Sequence, residues 1–439
     1  MIRLLRLVIR HPIHHDRRQE AWRMKTVILG SGVMGVTTAW QLVKEGHEVC
    51  VVDRQPVAAN ETSFANAGLV APGHALTWSS PRAPKILLKS LFRDDQALRL
   101  KLSADPRLWT WCLRFLRNCT SERARRNTLR KLKLCVYSQH QLQELVAETG
   151  VEYDGVRKGL LYVYRDAASL ARGITNMAIL REAGQRMEIL DGAGVATVEP
   201  AFAASRSPVA GGLYCPDDEQ GDSNKFTLGL AERLRQRGAE FRFSTTITGF
   251  ETSRDRVAGV MTDKGTIAAD QVVLALGSYS SIVARKLGLK LPVYPIKGYS
   301  VTLPVDGFNG APEIGGVDEN NLVAWCKMGA RFRLTATAEF SGYDTAHKPS
   351  DFTGMLRAAQ ELFPHAADYG SPSYWACLRP MTPEGTPIFG RGRYRNLWIN
   401  TGQGHMGWTM ATGSARITAD LMAGRKPEVD TAGMVYGHA

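Results

Sequence analysis

Apolar positions along this chain follow two rhythms, and the switch between them marks its first folded unit. Val27, Ile28 and Leu29 form an apolar run with no polar face, as in a strand buried on both sides. The run enters Gly30-Ser31-Gly32-Val33-Met34-Gly35, after which Val36 to Glu45 carries apolar residues at helical spacing. Gly46 breaks the helix, and His47 to Val52 predicts a second strand that ends at Asp53. Residues 107–149 predict helix, with Leu129, Leu132, Val136, Leu142, Leu145 and Val146 three and four apart and Gly150 as the stop. Gly159 to Tyr164 alternates like a strand, and 168–186 returns to helix.

The second half repeats the theme. Phe226 to Arg237 predicts a helix ended by Gly238, followed by a short strand at Glu240 to Phe243. Ile247 to Thr252 and Val257 to Thr262 read as a hairpin, and Ala269 to Ala275 as a buried strand ending at Gly277. Residues 291–378 are rich in strand formers. Leu397 to Asn400 then enters the glycine turn Thr401 to Trp408, and Thr409 to Met422 predicts the last helix.

This order predicts an α/β protein with a discontinuous Rossmann-like domain and an inserted α+β substrate domain built on a mixed sheet. The expected nucleotide-binding parts are 24–80, 217–290 and 385–427, and the expected substrate domain is 81–216 with 291–384. Residues 428–439 are expected to be a tail. Residues 1–23 carry six arginines and an apolar stretch broken by Arg6, which no secretory signal would show. They read either as a basic amphipathic foot or, the reading favoured here, as an extension upstream of Met24 and outside the fold.

Composition narrows the class. The chain has 439 residues, 44% hydrophobic and 22% charged, enough for two cored domains. No apolar run approaches the roughly eighteen residues that a membrane span requires. Seven cysteines stand singly, as expected of reduced thiols in a cytoplasmic protein, and no metal-ligand spacing is present. The formal charge of +13 is uneven: Arg114 to Lys133 holds eight basic residues against one acid, Glu122. That segment reads as a solvated helix face, as a contact for anionic lipid headgroups on the inner face of the cell membrane, or as a nucleic-acid contact. With no RNA-binding module in view, nucleic acid is not expected.

The first glycine turn carries the clearest chemistry. Gly30 permits the sharp turn, Gly32 admits a pyrophosphate, and Gly35 lets helix and strand pack closely. The free N–H groups at the helix start stabilise phosphate charge. Asp53, about twenty residues on, stands where an acid accepts from ribose hydroxyls. Two such turns at opposite ends of the chain fit an elongated FAD better than a nicotinamide dinucleotide.

The chain resembles the D-amino acid dehydrogenases of the small-subunit type, within the FAD-dependent oxidoreductases that include D-amino acid oxidase, glycine oxidase and sarcosine oxidase. The resemblance rests on Val27 to Gly35, Thr62 to Gly68, Leu276 to Ser280, Tyr294 to Ser300, Leu378 to Pro387 and Thr401 to Trp408, and spans about Met24 to Pro427. It implies FAD, held by Val27, Ile28, Leu29, Gly30, Ser31, Gly32, Val33, Met34, Gly35, Asp53, Arg54, Ser63, Asn66, Ala67, Gly68, Ile247, Gly277, Gly404, Met406 and Gly407. It implies that Arg379 grips the substrate carboxylate, a task suited to a planar guanidinium fork. Tyr299, Lys297 and His405 are the other site candidates; Tyr299 reads equally as a sheet aromatic, and His405 as a packed turn residue. Trp375 and Trp408 read as pocket walls or as core. The implied reaction is oxidative deamination of D-amino acids, D-alanine foremost, with hydride passing to flavin N5 and electrons to a quinone-type acceptor. An oxygen-using amine oxidase, an FAD enzyme acting on RNA-linked amines and a non-catalytic nucleotide binder are the alternatives.

Overall fold

A computed structural model describes residues 24–90, 98–100 and 104–437, so the 1–23 extension and the last two residues of the tail lie outside the described residues. A six-stranded sheet runs in the order Ile388–Arg391, Leu397–Thr401, Gln271–Leu274, Lys25–Leu29, Glu48–Val52 and Glu240–Arg242. All of its pairings are parallel except that of the Ile388–Arg391 edge strand. Val27 lies between Val272 and Cys50, and Val27, Ile28 and Leu29 are wholly buried. Period-two alternation divides them. Ile28 packs toward the helices Val33–Lys44, Ser223–Gln236 and Gly407–Met422, whereas Val27 and Leu29 meet a three-stranded antiparallel sheet through Val257, Val260 and Ile267.

The second sheet is mixed and nine-stranded. Its main path is Ser373–Met381, Tyr294–Pro304, Arg331–Phe340, Val323–Met328, Gly316–Asp318, Leu160–Tyr164, Gly211–Cys215 and Glu188–Asp191. Leu98–Leu100 pairs beside Arg331–Phe340. The α/β class expected from the sequence is the class observed.

Local departures have local causes. The first helix begins at Val33, not Val36, because Gly32 is already an extended N-cap and the glycine motif supplies the first turn. The single helix expected over 107–149 is two, Pro106–Asn118 and Ser121–Thr149. Asp105 caps the first by accepting from the Arg107 N–H, and Thr120 caps the second by accepting from the Arg123 N–H. Gly150 ends the second in the left-handed region, as expected. The helix expected over 168–186 runs instead from Ala167 to Glu182.

The basic segment also needs correction, since its eight charges do not share one wet face. Lys131 is fully buried and its ammonium donates to the Leu76 carbonyl, with burial pushing its pKa down to about 8. A periodicity that alternates Lys131 with Leu132 and Leu134 cannot reveal which side of the helix meets the core.

Candidate active site

Segments from both sheets line a cavity of about 850 Å3. Small-molecule and cofactor sites span roughly 300–1,000 Å3, so this one is large. At one end stands the first glycine turn. Gly30 has φ +103°, a backbone that only glycine adopts easily, and a Cβ there would lie 2.6 Å from the Ala275 carbonyl oxygen. Gly32 faces the cavity, and a Cβ on it would meet only Ser63 Oγ, at 3.4 Å. Gly35 has the third role, because a Cβ there would overlap the Gly30 carbonyl oxygen.

The residues expected to hold the cofactor divide into wall and support. Gly30, Gly32, Val33, Met34, Asp53, Arg54, Ser63, Asn66, Ala67, Gly68, Ile247, Gly277, Gly404, Met406 and Gly407 line the cavity. Val27, Ile28, Leu29, Ser31 and Gly35 do not line it; they form the strand and turn beneath. Ser31 donates its N–H and hydroxyl to Asp53 Oδ2 at 2.6 and 2.8 Å. Asp53 Oδ1 accepts from the Gln55 N–H, so this acid both faces the cavity and ties the turn. Ser63 Oγ accepts from the Val33 N–H at 3.0 Å, and Asn66 Nδ2 donates to Ser223 Oγ. Arg54 pairs with Glu61 and lies 3.9 Å over the Tyr279 ring.

The Gly404 to Gly407 turn also presents a helix start, that of Gly407–Met422, to the cavity. The partial positive charge of that helix start favours an electron-rich group. His405 stacks on Trp78 with ring centroids 5.0 Å apart. Burial, together with Lys131, His74 and Arg379 nearby, holds its pKa well below the usual histidine range, so it stays neutral. Trp408 lines the cavity, whereas Trp375 lies off it, packed on Phe64 at 4.5 Å.

Arg379 is half-buried on the Ser373–Met381 strand and reaches the cavity. One guanidinium nitrogen donates to the Thr337 carbonyl at 2.6 Å, and among the described residues no carboxylate pairs with it. Burial depresses its pKa from the usual arginine value. A bulge builds this setting: the register slips between Lys297 and Tyr299, and Thr337 takes φ +62°. Gly298 leaves the space, because a Cβ there would run into the Arg379 guanidinium. A buried cation without an anion is costly, and a ligand carboxylate would complete it.

Tyr299 lines the cavity and donates its hydroxyl to Glu339 Oε2 at 2.8 Å. Lys297 does not reach the cavity: its ammonium donates to the Ala346 carbonyl and lies 3.6 Å from Glu339 Oε1. Both nevertheless meet Glu339, and the Lys297 ammonium lies 5.4 Å from the Tyr299 ring centre. Sequence reading also missed Thr337, Trp78, His74 and Glu319, which come together only through the fold.

The glycine cradle, the open face of Gly32 and the second helix start in one large cavity fit an elongated dinucleotide. A family model for FAD dependent oxidoreductases matches residues 25–421. The chain is 45% identical to D-amino acid dehydrogenase 2 of Mesorhizobium japonicum, over 94% of this chain and 100% of that protein. It is 44% identical to D-amino acid dehydrogenase of Paramagnetospirillum magneticum, covering 94% of this chain and 98% of that one. In fold it is similar to glycine oxidase from Geobacillus kaustophilus, with TM-score 0.71, 22% identity and coverage of 95% and 99%. It is also similar to L-proline dehydrogenase from P. horikoshii, with TM-score 0.70, 18% identity and coverage of 93% and 95%. The chain therefore belongs to the FAD-dependent oxidoreductase family, and FAD is its cofactor.

Proposed function

We propose that this protein oxidises D-amino acids, D-alanine among them, to 2-oxo acids and ammonia, and passes the electrons to a quinone-type acceptor. One observation carries the reading: Arg379, a half-buried guanidinium with no carboxylate partner among the described residues, stands in the same cavity as the cofactor cradle. Bound FAD supplies the hydride acceptor. Arg379 fixes the substrate carboxylate so that one face of Cα is presented, and Tyr299 walls that end. The helix start at Gly407 stabilises negative charge arriving at the cofactor, and neutral His405 leaves that charge uncancelled. The names of the relatives support the D preference.

The same reading divides the chain into a nucleotide-binding domain of 24–80, 217–290 and 385–427 and a substrate domain of 81–216 and 291–384. Support comes from the strands: every strand of the second set lies in the nine-stranded sheet, and the other sheets are built from strands of the first set alone. An assay with D- and L-alanine, first under air and then with a quinone or dye, tests the activity. Turnover of D-alanine with quinone but not with oxygen is expected; rapid peroxide formation would favour an oxidase.

Quinone lives in membranes, and no described helix is long and apolar enough to cross one. The Pro106–Asn118 helix offers a docking face instead. Trp109, Leu113 and Leu116, at helical spacing, are 45%, 60% and 44% exposed, while Trp111 and Phe115 on its other side line the cavity. Arg114, Arg117, Arg123, Arg125 and Arg126 are exposed around it, which supports contact with an anionic inner membrane face. The protein should sediment with anionic vesicles at low salt and leave them near 1 M, where screening shortens to about 3 Å. Exchanging Arg123, Arg125, Arg126 and Arg130 for glutamine should abolish sedimentation but spare activity with a soluble dye. Unchanged vesicle binding would exclude this surface.

A further inference from the structure

Oxidation of an amino acid has a proton requirement that Arg379 cannot meet. The substrate arrives as an ammonium, and its nitrogen must lose one proton as hydride leaves Cα. The Cα–H bond breaks with its electron pair, one N–H bond breaks as a proton, and the carbon–nitrogen double bond forms. A proton acceptor inside the cavity is therefore needed.

The cavity wall offers few. Its carboxylates are Asp53, Glu61 and Glu319, and its imidazoles are His74 and His405. Asp53 is occupied by Ser31 and Gln55, and Glu61 by Arg54 and Gln55, all at the glycine-turn end. Desolvation, together with Lys131, His74 and Arg379 nearby, opposes a positive charge on His405, which stacks on Trp78. His74 and Glu319 remain, 2.8 Å apart between Nε2 and Oε1.

We propose that His74, held by Glu319, accepts the proton that leaves the substrate ammonium. The proposal rests on the amino-acid reading above. With Nε2–H donating to Glu319, the Nδ1 lone pair is left to accept, and Nδ1 has no hydrogen-bond partner among the described residues. The carboxylate then balances the imidazolium, which is the usual logic of a general base oriented by an acid. The turn that carries His74 is fixed, since the Gly73 N–H donates to Asp218 Oδ1 at 2.8 Å. The ring stacks on Tyr162 at 4.8 Å, and the Tyr162 hydroxyl donates to Asp218. The titratable groups around His74 are thus Glu319, Tyr162, Asp218 and His405.

The test is anaerobic reduction of the holoenzyme by D-alanine between pH 7 and 10, comparing the native protein with His74→Gln and Glu319→Gln. At pH 7 the rate in His74→Gln should fall about 10²-fold, a typical loss of a general base. The gap should narrow to less than about 10-fold at pH 10, where much of the substrate arrives as free amine. Glu319→Gln should show a smaller version of the same profile. Binding of propionate, read from the flavin spectrum, should be unchanged in both variants, because it has a carboxylate and no amine. No loss, or an equal loss at every pH, would overturn the proposal. Native enzyme that no D-amino acid reduces would instead defeat the underlying reading, and this proposal with it.

Discussion

Arg379→Ala should lower kcat/KM by at least roughly 10²-fold while leaving the flavin content and spectrum intact. The guanidinium faces the cavity, bound to the Thr337 carbonyl and unpaired by any described carboxylate, so its remaining donors await a ligand. Losing a buried, charge-assisted pair costs about 3 kcal/mol or more, which corresponds to that factor. The variant should fold, because the Thr337 carbonyl loses one hydrogen bond and Gly298 gains only space. Arg379→Lys should recover part of the loss, since an ammonium keeps the charge but not the fork. Steady-state kinetics beside the flavin spectrum checks both. If carboxylate-free amines and D-amino acids react equally well with the native enzyme, the role given to Arg379 is wrong.

Gly32→Val should be the most damaging change for cofactor content. A Cβ at Gly32 has open space before it except for Ser63 Oγ, so the fold accepts the side chain and the cavity loses the room. Apoprotein with a native-like circular dichroism spectrum and no yellow colour is the expected product. Gly35→Val should behave differently, because its Cβ overlaps the Gly30 carbonyl oxygen and must push the helix off the strand. That variant should lose solubility or cooperative melting along with flavin. Full flavin content in Gly32→Val would remove the phosphate-approach role given to this glycine.

What could be read from sequence was local. The glycine turn, the strand through Val27 and the stop at Gly150 each follow from residues within a few positions of one another, and each stands where expected. What depended on distant partners could not be read. The setting of Arg379 needs a bulge opposite Gly298 and a strained Thr337 on a neighbouring strand. His74 and Glu319 are 245 residues apart, so no spacing announces them. Lys131 reads as one more solvated charge until the fold turns it inward onto Leu76. The break between Asn118 and Ser121 is hidden because no glycine or proline marks it.

The central claim is that one cavity holds FAD beside a carboxylate-gripping arginine in order to oxidise D-amino acids. The most direct measurement is anaerobic titration of the purified yellow protein with D-alanine and, separately, with L-alanine. The account predicts bleaching of the flavin band by D-alanine and little change with L-alanine, with colour restored when a quinone is added. Bleaching by L-alanine alone, or by amines that lack a carboxylate as readily as by D-amino acids, would contradict it.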